Sequence, residues 1–240
     1  MSDKQAIILA GGKGSRLKPY TTVLPKPLIP VGDIPIAEVI VRQLAHFGFK
    51  DIVISTGHLA SLVETYFGDG RRWGVKIRYV CEDKPLGTAG AIKLIKNLKE
   101  NFLIINGDTL TGLDFSQLFA FHKKQKGIAT IAVKERMVKT DFGVIEFDRK
   151  GELWDYIEKP EHKSFVSMGI NILSRRCRDY IRVGESVGMP ELMLRMKAAG
   201  EKIYCFSTQA RWLDLGRPED LEAAQAIFER DKKKFLFSAQ

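Results

Sequence analysis

Hydrophobic positions take two textures along this chain. Up to residue 134, short apolar runs alternate with stretches in which apolar residues recur every three or four positions. The runs predict strands at Ala6–Ala10, Asp51–Ser55, Val75–Val80, Phe102–Asn106 and Ile128–Val133. The stretches between them predict helices over Ile36–Phe47, Leu59–Phe67, Thr88–Leu98 and Phe115–Lys124. Apolar strands alternating with helices predict an α/β fold: three layers, Rossmann-like, with a mostly parallel sheet covered on both faces.

The second half reads differently. Phe142–Phe147 and Glu152–Tyr156 are extended stretches flanking Asp148–Gly151, a good hairpin turn. Further strands are predicted at Phe165–Asn171, Ile203–Ser207 and Arg211–Leu213. Met189–Ala199 reads as a helix that Gly200 stops, and Pro218–Asp231 as a closing helix with Pro218 in its first turn. No linker, repeat or low-complexity stretch divides the chain. The expectation is one domain over 1–240, with a mixed lobe over 135–216 and a closing helical part over 217–240.

Composition narrows the class. The chain has no apolar run of about 18 residues, so no membrane span is expected. Asp3 and the short Ala6–Ala10 run do not match a signal peptide. Cys81, Cys177 and Cys205 are odd in number and in no metal-like spacing, which reads as reduced thiols in a cytoplasmic protein. The net charge of +9 raises nucleic acid as a partner. The basic residues are spread along the chain, apart from Lys232–Lys234, and no nucleic-acid-binding motif accompanies them. Small, highly charged ligands fit better.

The chemistry concentrates in QAIILAGGKGSRLKPYTTVLPKPL, residues 5–28. A loop following a parallel strand lies at the carboxyl edge of the sheet, where open α/β folds bind ligands. Gly11, Gly12 and Gly14 bring backbone N–H groups close to an anion. Arg16 adds a planar fork and Lys26 a mobile charge stiffened by Pro25 and Pro27. A polyphosphate is the implied ligand. The spacing is neither GxxxxGK[ST] nor the dinucleotide GxGxxG. Taken alone, the glycines also suit a plain structural turn. Asp108 and Asp214 each follow a strand and could share one Mg²⁺ on an NTP, although both also sit in good turn or helix-start sequence.

GGKGSRLKP with LPKPL resembles the sugar-1-phosphate nucleotidyltransferase family. So do GTAGA at Gly87–Ala91, NGD at Asn106–Asp108, FGV at Phe142–Val144, EKP at Glu158–Pro160, MGIN at Met168–Asn171 and WLDLGRPED at Trp212–Asp220. These motifs span residues 6–221. The resemblance implies a nucleotide-binding half over 1–134 and a small sugar-phosphate-binding lobe over 135–216. It implies that Leu9, Ala10, Gly11, Gly12, Gly14 and Ser15 hold the nucleotide, with Asn106 and Gly107. Glu82, Pro85, Gly87 and Thr88 would face the base. Arg16, Lys26, Asp108, Lys159 and Asp214 would be catalytic, with Asp108 and Asp214 holding Mg²⁺. Glu158 would contact sugar hydroxyls and Lys159 the sugar phosphate, with Gly143, Gly169 and Asn171 lining that substrate's site.

The implied reaction transfers a nucleoside monophosphate from an NTP to a sugar 1-phosphate and releases pyrophosphate. The attacking phosphate oxygen is already anionic, so His46, His58, His122 and His162 need no catalytic role. The short second lobe and the segment Gly188–Phe206 resemble bacterial heptose- or mannose-1-phosphate guanylyltransferases. That points to GDP-D-glycero-D-manno-heptose synthesis for cell-surface polysaccharide. Uridylyl transfer to N-acetylmuramate- or glucose-1-phosphate and cytidylyl transfer stay open, because the sequence does not announce the base. A non-catalytic regulatory subunit is the alternative of another class, but such a chain should lose the metal acids or loop cations kept here. A homodimer follows from the resemblance alone.

Overall fold

The computed structural model describes residues 4–216 and 218–237; Asp3 and Arg217 of the stretches above lie outside them. The chain begins with β1 (Gln5–Leu9), passes through three short 3-10 turns, and forms the small ribbon β2 (Pro30–Val31) and β3 (Ile34–Pro35). It continues through α1 (Ile36–His46), β4 (Asp51–Thr56), α2 (Ala60–Phe67), β5 (Lys76–Cys81), α3 (Gly87–Gly90), β6 (Asn101–Asn106) and β7 (Thr109–Thr111). Next come α4 (Phe115–Gln125), β8 (Ala129–Lys139), β9 (Val144–Phe147), β10 (Leu153–Ile157) and β11 (Glu161–Ser174). The order closes with α5 (Met189–Ala198), β12 (Ile203–Ser207), β13 (Trp212–Asp214) and α6 (Pro218–Leu236).

Seven strands form one mixed sheet in the order β12-β8-β11-β6-β1-β4-β5. Within it β11 alone runs antiparallel to its neighbours. Successive strand residues point to opposite faces, so β1 feeds two cores. Ala6 and Ile8 pack with Ile40, Leu44, Phe67 and Phe115 from α1, α2 and α4. Ile7 packs on the other face with Phe102, Ile104, Ile92 and the α5 residues Leu192 and Met196. Each fully buried Ile or Leu of this kind contributes about 1.5–3 kcal/mol. Both faces are dry, which is why the strands read as apolar runs and not as alternating patterns. Local signals set the helix starts: the Asp114 carboxylate accepts the N–H groups of Ser116 and Gln117 at the start of α4.

A third core lies outside the sheet. Phe228 and Phe235 of α6 pack on Val31, Ile36, Val39, Leu110 and Leu215. This clamps α6 over β7 and β13, which pair with each other. The closing helix breaks at Asp231, its expected end, where the backbone is non-helical, and a second helical stretch continues to Leu236. There the buried Asp231 carboxylate takes ion pairs from Arg211, Arg230 and Lys234.

Two expectations are corrected: the extent of the helix after β5, and the lengths of the strands expected at Ile128–Val133 and Phe165–Asn171. The helix expected over Thr88–Leu98 is only α3 and a 3-10 turn to Leu94. Gly90 packs so tightly on the Glu185 carbonyl that an added Cβ would lie 2.6 Å from it, and Ile95 is already extended. Strands β8 and β11 extend well beyond Val133 and before Phe165, pairing from Lys139–Glu161 inward as a long arm. Beyond that arm, β9 and β10 form a separate two-stranded ribbon. The three cysteines are free thiols, and burial raises that of Cys177 to about 12. His122 is buried between Thr130 Oγ1 and Asn101 Oδ1, at 2.9 and 3.0 Å, and desolvation lowers its pKa to about 4. It is a neutral core group, in line with its having no catalytic role.

Candidate active site

The parallel strands β1, β4, β5 and β6 bring their carboxyl ends to one edge of the sheet, and a cleft of about 370 Å³ opens there. The first loop forms one wall. The Ala10 N–H donates to the Ser55 carbonyl at 2.8 Å, tying the loop's start to β4. Gly14 turns the chain at φ +59°, and its carbonyl accepts the Leu17 N–H and the Thr21 hydroxyl, both at 2.9 Å. A Cβ at Gly14 would meet Thr21 Cγ2 at 2.8 Å. Glycine is therefore needed there twice over, for conformation and for space. Leu17 is buried behind the turn, which leaves Arg16 facing the cleft.

Every residue expected to touch the nucleotide lines this cleft: Leu9, Ala10, Gly11, Gly12, Gly14 and Ser15 from the first loop, Glu82, Pro85, Gly87 and Thr88 from the second, and Asn106 and Gly107 from β6. Arg16, Lys26 and Asp108 line it as well. The Gly107 N–H donates to the Leu9 carbonyl at 2.9 Å, and an added Cβ would lie 2.7 Å from that oxygen. This close approach brings Asp108 against the first loop. Lys26 and Asp108 form an ion pair, both largely screened from solvent.

The Glu82 carboxylate is fixed on both sides. Ser55 Oγ donates to Oε1 at 2.7 Å and the Leu86 N–H to Oε2 at 2.9 Å. Each oxygen keeps a second lone pair. Only bare backbone fits beside it, since a Cβ on Gly11 would lie 2.9 Å from Oε1. Thr88 ties this loop to α5: its Oγ1 accepts the Met189 N–H, at the start of that helix, at 2.7 Å. Gly87, at φ +74°, lies against the Val187 carbonyl, so this second loop is pinned to the α5 side of the fold.

Asp214 reaches the site through strand pairing. It lies opposite Thr109 in the β7–β13 ladder, and the next N–H, of Leu215, donates to the Asp108 carbonyl at 3.0 Å. Its side chain keeps contact with solvent, yet its pKa lies above the usual carboxylate value. Desolvation is the first cause and the like charge of Asp108 the second, while Lys26 and Arg16 oppose them. Gly216, which sequence reasoning did not single out, packs between these groups: an added Cβ would be 3.3 Å from both Arg16 Nη2 and Asp214 Oδ1. Ser55, which anchors Glu82, was also missed. It sits inside an apolar strand, and nothing in the sequence marks it.

The donors fit a hard divalent cation. Asp108, in the turn between β6 and β7, and Asp214, at the end of β13, are joined through the Leu215 N–H to Asp108 carbonyl bond, and a lysine ammonium stands beside Asp108. Mg²⁺ takes one or two protein carboxylates and fills its remaining positions with phosphate oxygens and water. Among the described residues no group of three His, Cys, Asp or Glu could hold a metal without such help.

The residues expected to hold the sugar phosphate are not gathered into this cleft. Gly169 comes nearest. It sits at φ +71° in the irregular stretch of β11 between Ser167 and Asn171, with Asn106 against its bare Cα. Asn171 lies inside β11 and not at a strand end, buried opposite Ile104 and Ile131. Gly143, Glu158 and Lys159 flank the exposed ribbon. An added Cβ at Gly143 would clash with the Tyr156 hydroxyl at 2.6 Å, and Lys159 Nζ lies 4.0 Å from Glu158 Oε1. Gly169→Ala is expected to destabilise the fold, because its Cβ would come within 2.4 Å of Asn106 Nδ2. An L-residue in the left-handed region costs about 1–2 kcal/mol, which should lower Tm by about 2–8 °C. A melting curve unchanged from wild type would contradict this.

Comparison with known proteins follows this geometry. A profile described as Nucleotidyl transferase matches residues 5–231. The chain belongs to this family. It is 34% identical over 224 residues to D-glycero-alpha-D-manno-heptose 1-phosphate guanylyltransferase of Aneurinibacillus thermoaerophilus, covering 92% of this chain and 96% of that one. It is 32% identical over 250 residues to UTP--glucose-1-phosphate uridylyltransferase of Synechocystis sp., covering 95% of this chain but only 64% of the relative's length. The structure of HddC from Yersinia pseudotuberculosis complexed with GMP-PN superposes with a TM-score of 0.71 at 26% identity, covering 93% and 99% of the two chains. Among the described residues no helix is long and apolar enough to cross a membrane.

Proposed function

We propose that this chain transfers a nucleoside monophosphate from an NTP to a sugar 1-phosphate, with GTP and D-glycero-α-D-manno-heptose 1-phosphate as the substrate pair. The carrying observation is the cleft itself. It joins a glycine-walled loop, Arg16, the Lys26–Asp108 pair and the anchored Glu82 at the carboxyl edge of a parallel sheet. Triphosphate fits the basic, glycine-lined end, where backbone N–H groups, Arg16 and Lys26 supply donors and positive charge.

Glu82 favours guanine. Its two acceptors, each with one lone pair free, match the adjacent N1–H and N2–H₂ donors of that base. Uracil and thymine put a carbonyl next to their single ring N–H, and that carbonyl would face a carboxylate oxygen. The names of the Aneurinibacillus relative and of the ligand in the HddC structure agree with a guanine nucleotide. The Synechocystis relative supports a second reading, uridylyl transfer to glucose 1-phosphate.

In the proposed step an anionic oxygen of the sugar phosphate forms a bond to the α-phosphorus, and the bond from that phosphorus to the β-phosphate's bridging oxygen breaks. Pyrophosphate leaves on the opposite side. No proton has to be removed, so the protein's task is to align anions and offset their repulsion. Arg16 and Lys26 would do this on the triphosphate and Lys159 on the sugar phosphate. Asp108 and Asp214 would hold Mg²⁺, which supplies charge neutralisation on the phosphates when bound.

The test is pyrophosphate release across GTP, UTP, dTTP, CTP and ATP, each with heptose-, mannose-, glucose- and N-acetylmuramate-1-phosphate. GTP with heptose 1-phosphate should dominate. A dominant UTP pair would replace this substrate assignment, and silence with every pair would overturn the reaction. In the active pair, Lys159→Ala should raise KM for the sugar phosphate and leave KM for the NTP in place. Unchanged saturation by both substrates would remove Lys159 from the site.

A further inference from the structure

Residues 86–90, in the second loop of the cleft, lie along residues 185–189, which lead into α5. The Val187 N–H donates to the Leu86 carbonyl at 2.9 Å, and the Ala89 N–H donates to the Val187 carbonyl at 3.0 Å. The Met189 N–H to Thr88 Oγ1 bond extends the same seam. The two backbones touch: an added Cβ on Gly87 would lie 2.5 Å from the Val187 oxygen, and one on Gly90 2.6 Å from the Glu185 oxygen. Residues 185–188 belong to no helix or strand. Their place, and with it that of the cleft loop, depends on what holds this irregular segment.

Arg195 of α5 holds it. Its Nη1 donates to Glu185 Oε2 at 2.9 Å and its Nη2 to Glu185 Oε1 at 2.8 Å. Two parallel bonds fix angle as well as distance. The Arg182 N–H adds a third bond, to Oε2, at 3.0 Å. Arg195 also donates to the Tyr180 carbonyl at 3.2 Å, so it grips the segment at its start and in its middle. Glu191, four residues earlier on α5, accepts from the guanidinium at 2.5 Å and steadies it. Hydrogen bonds from Arg195 and then from the Arg182 N–H hold the Glu185 carboxyl down at about 2, so the pair is ionised at neutral pH. A simple ion pair in water contributes little. This one is bidentate, with only 33% and 23% of the two side chains exposed.

We propose that Glu185 and Arg195 are positioning residues for the nucleotide: their ion pair sets residues 185–189, and through them the 86–90 loop and Glu82, an effect that rests on the base-facing role given to Glu82 above. Neither side chain lines the cleft. The coupling runs through bonds of the backbone. Leu86 stands at the join, because its carbonyl accepts the Val187 N–H while its own N–H donates to Glu82 Oε2 at 2.9 Å. A shift at residue 187 therefore moves the residue that orients the Glu82 carboxylate. The clamp acts on how the nucleotide is held and takes no part in making or breaking bonds.

Calorimetric binding of NTP with Mg²⁺ to the full chain is the test. Arg195→Met keeps the apolar stem and removes the fork. It should weaken NTP binding about tenfold, the scale of one well-aligned hydrogen bond lost to the base. Arg195→Lys keeps the charge without the paired geometry and should recover part of that loss. In turnover, KM for the NTP should rise by the same factor while kcat and KM for the sugar 1-phosphate hold, the pattern of lost uniform binding. Arg176→Met is the control for general loosening. It breaks the Arg176–Glu201 pair beside Tyr180 and should leave NTP binding unchanged. Hydrogen exchange needs no substrate: the stretch 82–92 should exchange faster in Arg195→Met and not in Arg176→Met. A lowered Tm with exchange over 82–92 and NTP binding both unchanged would make the pair a brace of α5 alone and overturn the proposal. Equal losses of NTP binding in Arg195→Met and Arg176→Met would overturn it too, as would faster exchange over 82–92 with NTP binding intact. A wild type that binds NTP but turns over no substrate pair would count against the reaction, while weaker NTP binding by Arg195→Met would still support the clamp.

Discussion

Asp108→Asn is expected to lower turnover by about 10³-fold in saturating NTP and sugar phosphate. A metal bridging the phosphates supplies several kcal/mol of charge stabilisation, and each 1.36 kcal/mol is a factor of about ten in rate. The asparagine keeps the size of the side chain and removes its charge. It also leaves the Lys26 ammonium without its carboxylate partner, so Lys26→Met is the needed control. That variant should weaken NTP binding and keep the wild-type response to Mg²⁺ concentration. Asp108→Asn should shift the response itself, both in a Mg²⁺ titration of pyrophosphate release and in calorimetric binding of Mg²⁺ with NTP present. Asp214→Asn should behave alike, and the double variant should be little worse than either single one, because the two acids act as one unit. Near-wild-type turnover for either single variant would sink the metal assignment.

That two acids at positions 108 and 214 meet was not readable from spacing. It depends on β7, a three-residue strand too short for an alternation signal, and on its pairing with β13. The first loop, by contrast, was legible almost residue by residue. Glycine at positive φ, a buried Leu17 and a cation at Arg16 each have one good physical reading after a parallel strand. The sheet was legible where both faces are dry, as in β1, β4 and β6. The arm was not, because three charged residues, Lys134, Glu135 and Arg136, are followed by exposed Met137 and Val138, which matches neither an alternating nor a buried strand pattern. The aromatic side chains of the ribbon are exposed, which the extended pattern of its two strands did not reveal. The sugar-side residues could be named from motif order, but their distance from the cleft is set by that arm.

Glu82→Gln is the sharpest test of how the base is chosen. Glutamine keeps one acceptor, so the Ser55 hydroxyl or the Leu86 N–H still finds a partner, and the loop should hold. What changes is the pattern offered to the base: two acceptors become one acceptor and one donor. Guanine then loses one of two charge-assisted bonds and meets an N–H where it presents its own. A hydrogen bond to a charged group is worth about 1.5–3 kcal/mol, so kcat/KM for GTP should fall about 100-fold. Uracil gains what guanine loses, since an acceptor beside a donor matches its N3–H beside O4. The ratio of GTP to UTP use should therefore move by more than the GTP loss alone, because a site that leaves a polar group unpaired rejects the wrong base. The measurement is kcat/KM for GTP and UTP against one sugar 1-phosphate, with Glu82→Ala alongside. Alanine removes the anchor as well as the acceptors, so it should depress both nucleotides together. If glutamine also depresses both equally, Glu82 only braces the loop, and the choice of base belongs to the backbone around Pro85–Thr88. A ratio that moves toward UTP places the discrimination in the two carboxylate oxygens held by Ser55 and Leu86.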